Sequence, residues 1–169
     1  EILIGLVGSE MCIRDRYLGM SGGKMIIKQA LPGEENDVAA LALKMWPEHE
    51  ADELRRLFAA LLKAPDAAVF VAREDGVAVG FAQTQLRRDY VEGTSESPVG
   101  YLEGIYVEEK FRGRGIARSL LAECENWSRN RGCSEFASDC GLDNVDSLKF
   151  HLGCGFGEAG RIICFTKKI

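Results

Sequence analysis

The chain lacks the signatures of several large protein classes. Its six cysteines include no C-x-x-C pair, no Lys-Ser or Lys-Thr follows a glycine-rich loop, and the net charge is −5 with a pI of about 5.2. These absences argue against a zinc or redox motif, a P-loop and a nucleic-acid partner, respectively. The apolar run at the N-terminus is only about seven residues long. It is too short to span a membrane and lacks the basic start of a signal peptide, so we expect no membrane partner.

Length and cysteine usage place the chain in a broad class. With 169 residues, 46% apolar and 28% charged, it has enough material for one domain with a full core. The cysteines are scattered along the sequence. Because no secretory signature accompanies them, we interpret them as reduced thiols and predict a cytoplasmic protein.

The first 24 residues are unlike the rest of the chain. They include "LVGSEMCIRDR", which looks like a translated sequencing-library adapter. We therefore predict a non-native or disordered extension over 1–24 and leave it out of the fold prediction. A single domain is predicted over 25–169, because "MIIKQA" begins a strand-like pattern at once.

Residue periodicity after position 25 predicts a mixed α+β domain. Strands are predicted over 26–30, 67–74, 77–88, 99–107, 133–139 and 160–168. Helices are predicted over 37–46, capped by Asn36, over 50–64 and 115–132, and within 143–156, capped by Asp143 or Asn144. Asp75-Gly76 indicates a hairpin. We expect a central, mostly antiparallel mixed sheet with helices on both faces.

The loop between the fourth strand and the third helix has the composition of an anion site. It reads "RGRG", from Arg112 to Gly115, and leads directly into a helix. Unpaired first-turn amides, the helix dipole and two guanidinium groups all favour a bound pyrophosphate, and the glycines allow close approach. A dinucleotide fingerprint would need a third glycine where this chain has Arg118. An ordinary solvated basic turn is the alternative interpretation.

Two motifs resemble those of the GNAT acyltransferases. Arg112, Gly115 and Ala117 match the Q/R-x-x-G-x-G/A pattern of the acetyl-CoA loop in that family. The segment "NVDSLKFHLGCGF", over 144–156, is similar to the family segment that lines the other side of the coenzyme. The resemblance implies a GNAT fold and acetyl-CoA as co-substrate, with no metal. The positions that it implies for coenzyme binding are Ile105, Tyr106, Val107, Arg112, Gly113, Arg114, Gly115, Ile116, Ala117, Arg118 and Asn144.

Four further fragments resemble the aminoglycoside 6'-N-acetyltransferases of the chromosomal type. They are "MWPEH", "RRDYVEG", "YLEGIYV" and "ASD", in that order along the chain. The resemblance implies acetyl transfer to the 6'-amino group of an aminoglycoside antibiotic, and hence resistance to it. It places the aminoglycoside at Trp46, His49, Tyr90, Glu103 and Asp139. A polycation covered with hydroxyl groups needs carboxylates and a flat aromatic ring, and these residues supply both.

Glu103 is the predicted general base. It lies mid-strand among apolar residues, where an unused charge is costly. Strand alternation predicts that Glu103 shares a face with Ile105 and Val107. Resemblance implies direct attack by the amine in a ternary complex, with Asp139 assisting and with backbone amides near 105–107, at a bulge, polarising the thioester carbonyl.

The general acid and the acceptor stay open at this stage. Many relatives have a tyrosine where this chain has His151, which is the candidate acid, and Phe165 and Gly160 also depart from the pattern that we expect. Other hypotheses are a GNAT enzyme for another small amine or a protein N-terminus, and a non-catalytic acyl-CoA sensor. Similar proteins are commonly homodimers, so we expect a homodimer.

Overall fold

A five-stranded sheet organises residues 23–169, which are the residues that this computed structural model describes. The strands are β1 (Met25–Gln29), β2 (Ala67–Glu74), β3 (Val77–Arg87), β4 (Val99–Val107) and β5 (Phe136–Ser138). The helices are α1 (Glu35–Met45), α2 (Ala51–Leu61), α3 (Ile116–Arg129) and α4 (Val145–Gly153). The strands lie in chain order, antiparallel except for the parallel pair β4 and β5. The predicted α+β class is confirmed.

The predicted extension over 1–24 lies outside the described residues, apart from Gly23 and Lys24. The division into an extension and a domain over 25–169 therefore stays a prediction. Among the described residues, no helix is both long and apolar enough to cross a membrane.

The sheet separates two apolar cores. On one face, α1 and α2 cover Val69, Val71 and Phe81, and Phe81 meets the ring of Phe58 edge-on at 5.9 Å between centroids. On the other face, the apolar side of α3 packs on Phe70 and its neighbours in the sheet. The helices thus lie on both faces, as the sequence predicts. Burial of these side chains supplies the main favourable free energy of folding.

The turn between β2 and β3 forms as predicted. Asp75 and Gly76 both have positive φ, 50° and 86°, which is the backbone that a two-residue hairpin of this kind requires. At the end of β3 far from this turn, Arg87 pairs with Val99 at the start of β4. From there its side chain reaches Glu103 in the middle of β4.

A β-bulge at Glu103 changes the predicted facing of β4. The register with β3 passes from Gln83↔Gly104 to Thr84↔Leu102, so Glu103 is the extra residue. One extra residue reverses the alternation, and the prediction that Glu103 shares a face with Ile105 and Val107 is wrong. Leu102, Ile105 and Val107 face the α3 core together.

Two other predictions at element ends are wrong. The last strand, predicted over 160–168, does not form, because the segment has no neighbouring strand among the described residues and its side chains are exposed. Asn36 does not cap α1, because the helix begins at Glu35 and places Asn36 inside the first turn. The carboxylates of Glu34 and Glu35 accept the amide hydrogens of Leu31 and Gly33, which lie in the turn before the helix. The cap of α4 is Asn144, one of the two predicted candidates.

Candidate functional site

A cavity of about 260 Å³ lies at the N-terminus of α3. Gly113 and Gly115 line it with positive φ, 75° and 78°, and no atom lies within 4 Å of the position that a Cβ would take at either. The first intrahelical bond is donated by the amide of Ser119 to Gly115 O, so the preceding amides have no acceptor within the helix. Open space above bare backbone, at the positive end of a helix dipole, suits a phosphate or pyrophosphate group.

The three predicted arginines are held in different ways. Arg112 Nε donates to Val107 O at 3.0 Å, and Arg118 donates to Gly153 O at 2.7 Å, which ties α3 to the end of α4. Arg114 pairs with Glu74, which raises the pKa of the guanidinium and lowers that of the carboxyl group. Arg112 and Arg118 therefore border the cavity directly, whereas an anion would compete with Glu74 for Arg114.

The opposite wall of the cavity comes from α4. Lys149, Phe150 and Cys154 line it, and sequence reasoning missed these individual positions. The sequence did carry a signal for them, because all three residues lie in the segment 144–156, which the resemblance places beside the coenzyme. Burial raises the pKa of Cys154, so its thiol stays protonated. Asn144 lies outside the cavity lining and accepts the Ser147 amide hydrogen at 3.0 Å as a helix cap.

The predicted coenzyme-binding residues of β4 are Ile105, Tyr106 and Val107, and they lie along the strand edge on the β5 side. Strand β5 pairs only with residues 100–102 of β4, so residues 103–107 have no neighbouring strand on that side in the described structure. Val107 lines the cavity, Ile105 packs on the α3 core and Tyr106 packs on the opposite core. Ile116 and Ala117 begin α3 at the cavity. The open edge of β4 thus leads from the cavity towards Glu103, roughly 13 Å along the strand.

At the other end of that edge, two carboxylates are connected through an ion pair, a cation–π contact and a hydrogen bond. Arg87 donates to both oxygens of Glu103, at 3.0 and 2.9 Å, and its Cζ lies 3.4 Å from the centroid of the Tyr101 ring. The Tyr101 hydroxyl donates in turn to Asp139. Burial and this bond raise the pKa of Tyr101, so the phenol remains a donor. The structure therefore brings Glu103 and Asp139 together through two residues that were not predicted.

Both of those missed residues had a signal in the sequence. Tyr101 lies two positions before Glu103 on the same strand, which places the two side chains on one face. Arg87 begins the fragment "RRDYVEG", but its pairing with Glu103 depends on the register between β3 and β4.

An aromatic ring lies against Gly104, the residue that follows Glu103. Trp46 follows α1, and its ring lies 3.0 Å from the position that a Cβ would take at Gly104. Its ring centroid is 6.3 Å from that of Phe81, so one edge of the indole packs on the core. Only glycine at 104 leaves room for the indole to lie this close to the strand.

The remaining predicted positions lie at the periphery. Tyr90 is 82% exposed and donates to Glu92 at 2.7 Å. His49 is exposed, with Nδ1 3.3 Å from a Glu53 oxygen. Neither residue contacts Glu103 or Asp139 in the described structure, so their contact with an acceptor stays a prediction.

His151 connects α4 to the sheet. Its Nδ1 lies 2.7 Å from Ser147 O, and its Nε2 lies 3.0 Å from Ser138 Oγ, at the end of β5. The ring also packs edge-on against Phe156, with 5.0 Å between centroids. Both ring nitrogens have partners inside the fold, which is the arrangement of a residue that positions α4 next to Asp139.

Comparison with known proteins identifies the family. The Acetyltransferase (GNAT) family profile matches residues 35–156. The aminoglycoside N(6')-acetyltransferase type 1 of Stenotrophomonas maltophilia is 42% identical over 82% of this chain and 90% of its own length. The Salmonella typhimurium protein of the same name is 43% identical over 76% of this chain and 88% of its own. The chain belongs to the GNAT acetyltransferases. Within that family it groups with the aminoglycoside N(6')-acetyltransferases.

Solved GNAT structures agree with this placement. The aminoglycoside N-acetyltransferase AAC(6')-Iy in complex with CoA is 40% identical to this chain, with a TM-score of 0.85 over 88% of this chain and 97% of its own. The same protein in complex with the bisubstrate analogue CoA-S-monomethyl-acetylneamine has a TM-score of 0.83, with 39% identity over 87% of this chain and all of its own. The GNAT fold predicted from the glycine-arginine loop is confirmed.

Proposed function

We propose that the chain transfers the acetyl group of acetyl-CoA to the 6'-amino group of aminoglycoside antibiotics. The observation that carries the proposal is the position of Glu103. Its carboxylate lies on a bulge at one end of the open edge of β4, and the anion-binding cavity lies at the other end. The family supports the reaction type, and the names of the relatives support the acceptor.

The cavity residues fit the pyrophosphate of acetyl-CoA. The bare backbone at Gly113 and Gly115 and the cationic side chains of Arg112, Arg118 and Lys149 surround one space. The open edge of β4 provides unpaired backbone groups for an extended arm that reaches towards Glu103. When bound there, acetyl-CoA supplies the acetyl group as a thioester.

The acidic cluster fits the acceptor side of the reaction. Only the free amine attacks a thioester, so the 6'-ammonium must first lose a proton, and Glu103 is the base that takes it directly or through water. The amine nitrogen then bonds to the acetyl carbon while the carbon–sulfur bond breaks, and CoA leaves as a thiolate. The new amide nitrogen gives up its extra proton and the thiolate takes up one proton, which yields the amide and the CoA thiol. Asp139 pairs with a second ammonium group, and Trp46 packs against a sugar face.

Release of CoA thiol with three acceptors tests the proposed function. We expect turnover with kanamycin, and none with a matched aminoglycoside that carries a hydroxyl at the 6' position, because the nucleophile is then absent. Spermidine, which is cationic but has no sugar rings, should give little release. Turnover of spermidine but not kanamycin would disprove the acceptor assignment while leaving the acetyltransferase assignment intact.

We further propose that the chain is a homodimer that forms through its C-terminal segment, 161–169. Ile162, Ile163 and Phe165 are 67%, 77% and 91% exposed, although their segment reads as a strand. Contiguous apolar surface of this kind is uncommon in a monomer and typical of an interface. The segment leaves the domain beside the loop that carries Tyr90, because Ala159 lies against Gly93.

A charge in this segment tests the dimer. We expect the unmodified protein to sediment as a dimer and Ile163→Glu to sediment near the chain mass of 18.6 kDa, because a buried unpaired carboxylate is costly. Val77→Glu is the matched control, since Val77 is 66% exposed at the distant hairpin. A monomeric unmodified protein, or equal effects of both substitutions, would contradict the proposal.

We also propose that the reaction takes place in the cytoplasm. The five cysteines of the described residues, Cys124, Cys133, Cys140, Cys154 and Cys164, are all unpaired thiols. Unpaired cysteines in this number are typical of a reducing compartment.

A further inference from the structure

The acidic cluster already contains a cation of its own. Arg87 makes a two-pronged contact with Glu103 and covers the face of Tyr101 with its guanidinium group. Burial alone would lower the pKa of Arg87, but the hydrogen bond and the charge of Glu103 raise it above its ordinary value. The group is therefore always charged. It occupies the carboxylate oxygens and the aromatic face that an acceptor ammonium group would use.

The arginine side of this contact is open to solvent. The Arg87 side chain is 38% exposed and that of Glu103 is 18% exposed, so water reaches the arginine directly. Arg87 is also the last residue of β3, where its long side chain can swing into solvent without disturbing the strand. A cation with this access to solvent can exchange with another cation that reaches Glu103.

We propose that Arg87 is a built-in counter-cation that holds the ammonium position at Glu103 until an acceptor displaces it, and that it thereby selects acceptors carrying several positive charges. The inference rests on the proposed function and adds a specificity-determining residue to it. Displacement exchanges one cation on Glu103 for another, so the first ammonium group gains little net affinity. An acceptor with further ammonium groups gains additional contacts, such as one with Asp139, whereas a monoamine has none to offset the loss of Arg87.

Arg87 thus lowers the affinity of the site for weakly charged amines. Specificity is a difference between affinities, and an internal competitor lowers the affinity of every ligand that needs Glu103 free. A ligand with further ammonium groups can stay bound at other contacts while Arg87 occupies Glu103, so the loss is largest for a ligand that depends on Glu103 alone. The arginine also keeps Glu103 paired while the site holds no acceptor, which avoids an uncompensated charge in a partly buried position.

Removal of the arginine charge tests the inference. We expect Arg87→Gln to lower the KM for kanamycin about three- to tenfold and to lower that for a 6'-amino monoamine sugar by more. Arg87→Lys keeps a charge on Glu103 and should stay near the unmodified protein. Arg88→Gln is the matched control, because it makes the same change in net charge at an exposed neighbour that does not contact Glu103.

Binding measured without turnover separates this inference from the proposed function. Calorimetric titration of kanamycin into the protein with CoA should show the same three- to tenfold gain in affinity for Arg87→Gln. If the unmodified protein releases no thiol but binds kanamycin more weakly than Arg87→Gln does, the proposed reaction fails and the displacement inference stands. If thiol is released but Arg87→Gln binds kanamycin equally or more weakly, Arg87 only positions Glu103 and the inference is wrong. Absence of kanamycin binding to both proteins overturns both.

Discussion

Replacing Glu103 by glutamine should lower kcat for kanamycin by about 10²–10⁴-fold, the usual contribution of a positioned general base. The amide keeps the size of the side chain and one oxygen to accept from Arg87, but it cannot take the proton of the 6'-ammonium group. The measurement is the initial rate of thiol release at saturating acetyl-CoA and kanamycin. Activity of the variant should recover partly as the pH rises, because more of the acceptor is then already the free amine.

The control for this prediction is the same substitution at an exposed carboxylate, that of Glu92. Glu92 accepts a hydrogen bond from Tyr90 at the exposed periphery, so Glu92→Gln should leave kcat within about threefold, as surface changes usually do. A loss below tenfold for Glu103→Gln would show that Glu103 binds the acceptor without serving as its base. A rate that stays equally low at every pH would point instead to a loss of acceptor positioning.

Gly115→Val should raise the KM for acetyl-CoA by about 10²-fold. Gly115 has a φ of 78° as it leads into α3, and its missing side chain leaves open the space in which the coenzyme phosphates are expected. A branched side chain there would block approach to the first-turn amides and remove about two charge-assisted hydrogen bonds, each contributing about 1.5–3 kcal/mol. The effect should appear in KM for acetyl-CoA, with little change in KM for kanamycin.

Backbone strain is separated from ligand contact by a second glycine of the same helix. Gly132 follows the other end of α3 with a φ of 85° and open space around it, so Gly132→Val carries the same conformational cost far from the cavity. We expect both variants to lose similar unfolding free energy in urea, and only Gly115→Val to weaken acetyl-CoA binding. Equal changes in KM would assign the effect to strain and remove Gly115 from the coenzyme site.

Local signals in the sequence predicted much of the fold and the position of the glycine-arginine loop. Apolar alternation marked four of the five strands closely, and glycines with arginines before a helix marked the loop that lines the cavity at α3. The resemblance implied a bulge near 105–107, but its position at Glu103 escaped prediction because alternation does not reveal an extra residue until the partner strand is known. The contact between Arg87 and Glu103 escaped for the same reason, since it joins the end of one strand to the middle of the next.

The failed prediction of a last strand has a different cause. The segment 160–168 has the composition of a strand, but a strand also needs a neighbour with exposed hydrogen-bonding groups. In the described structure the short strand β5 ends the sheet, and the segment starts beside the loop of Glu92 and Gly93. Composition indicates that a segment can form a strand. Pairing also requires a free strand edge, either in the rest of the fold or in a second copy of the chain.

The bulge on β4 frees the side chain at position 103 from the pairing of the sheet. Leu102 and Gly104 pair with β3, whereas Glu103 pairs with no residue of that strand, so the pairing makes no demand on which side chain stands at 103. If Glu103 is the base, as we propose, a single codon change there would stop the reaction and leave the domain and its cavity intact.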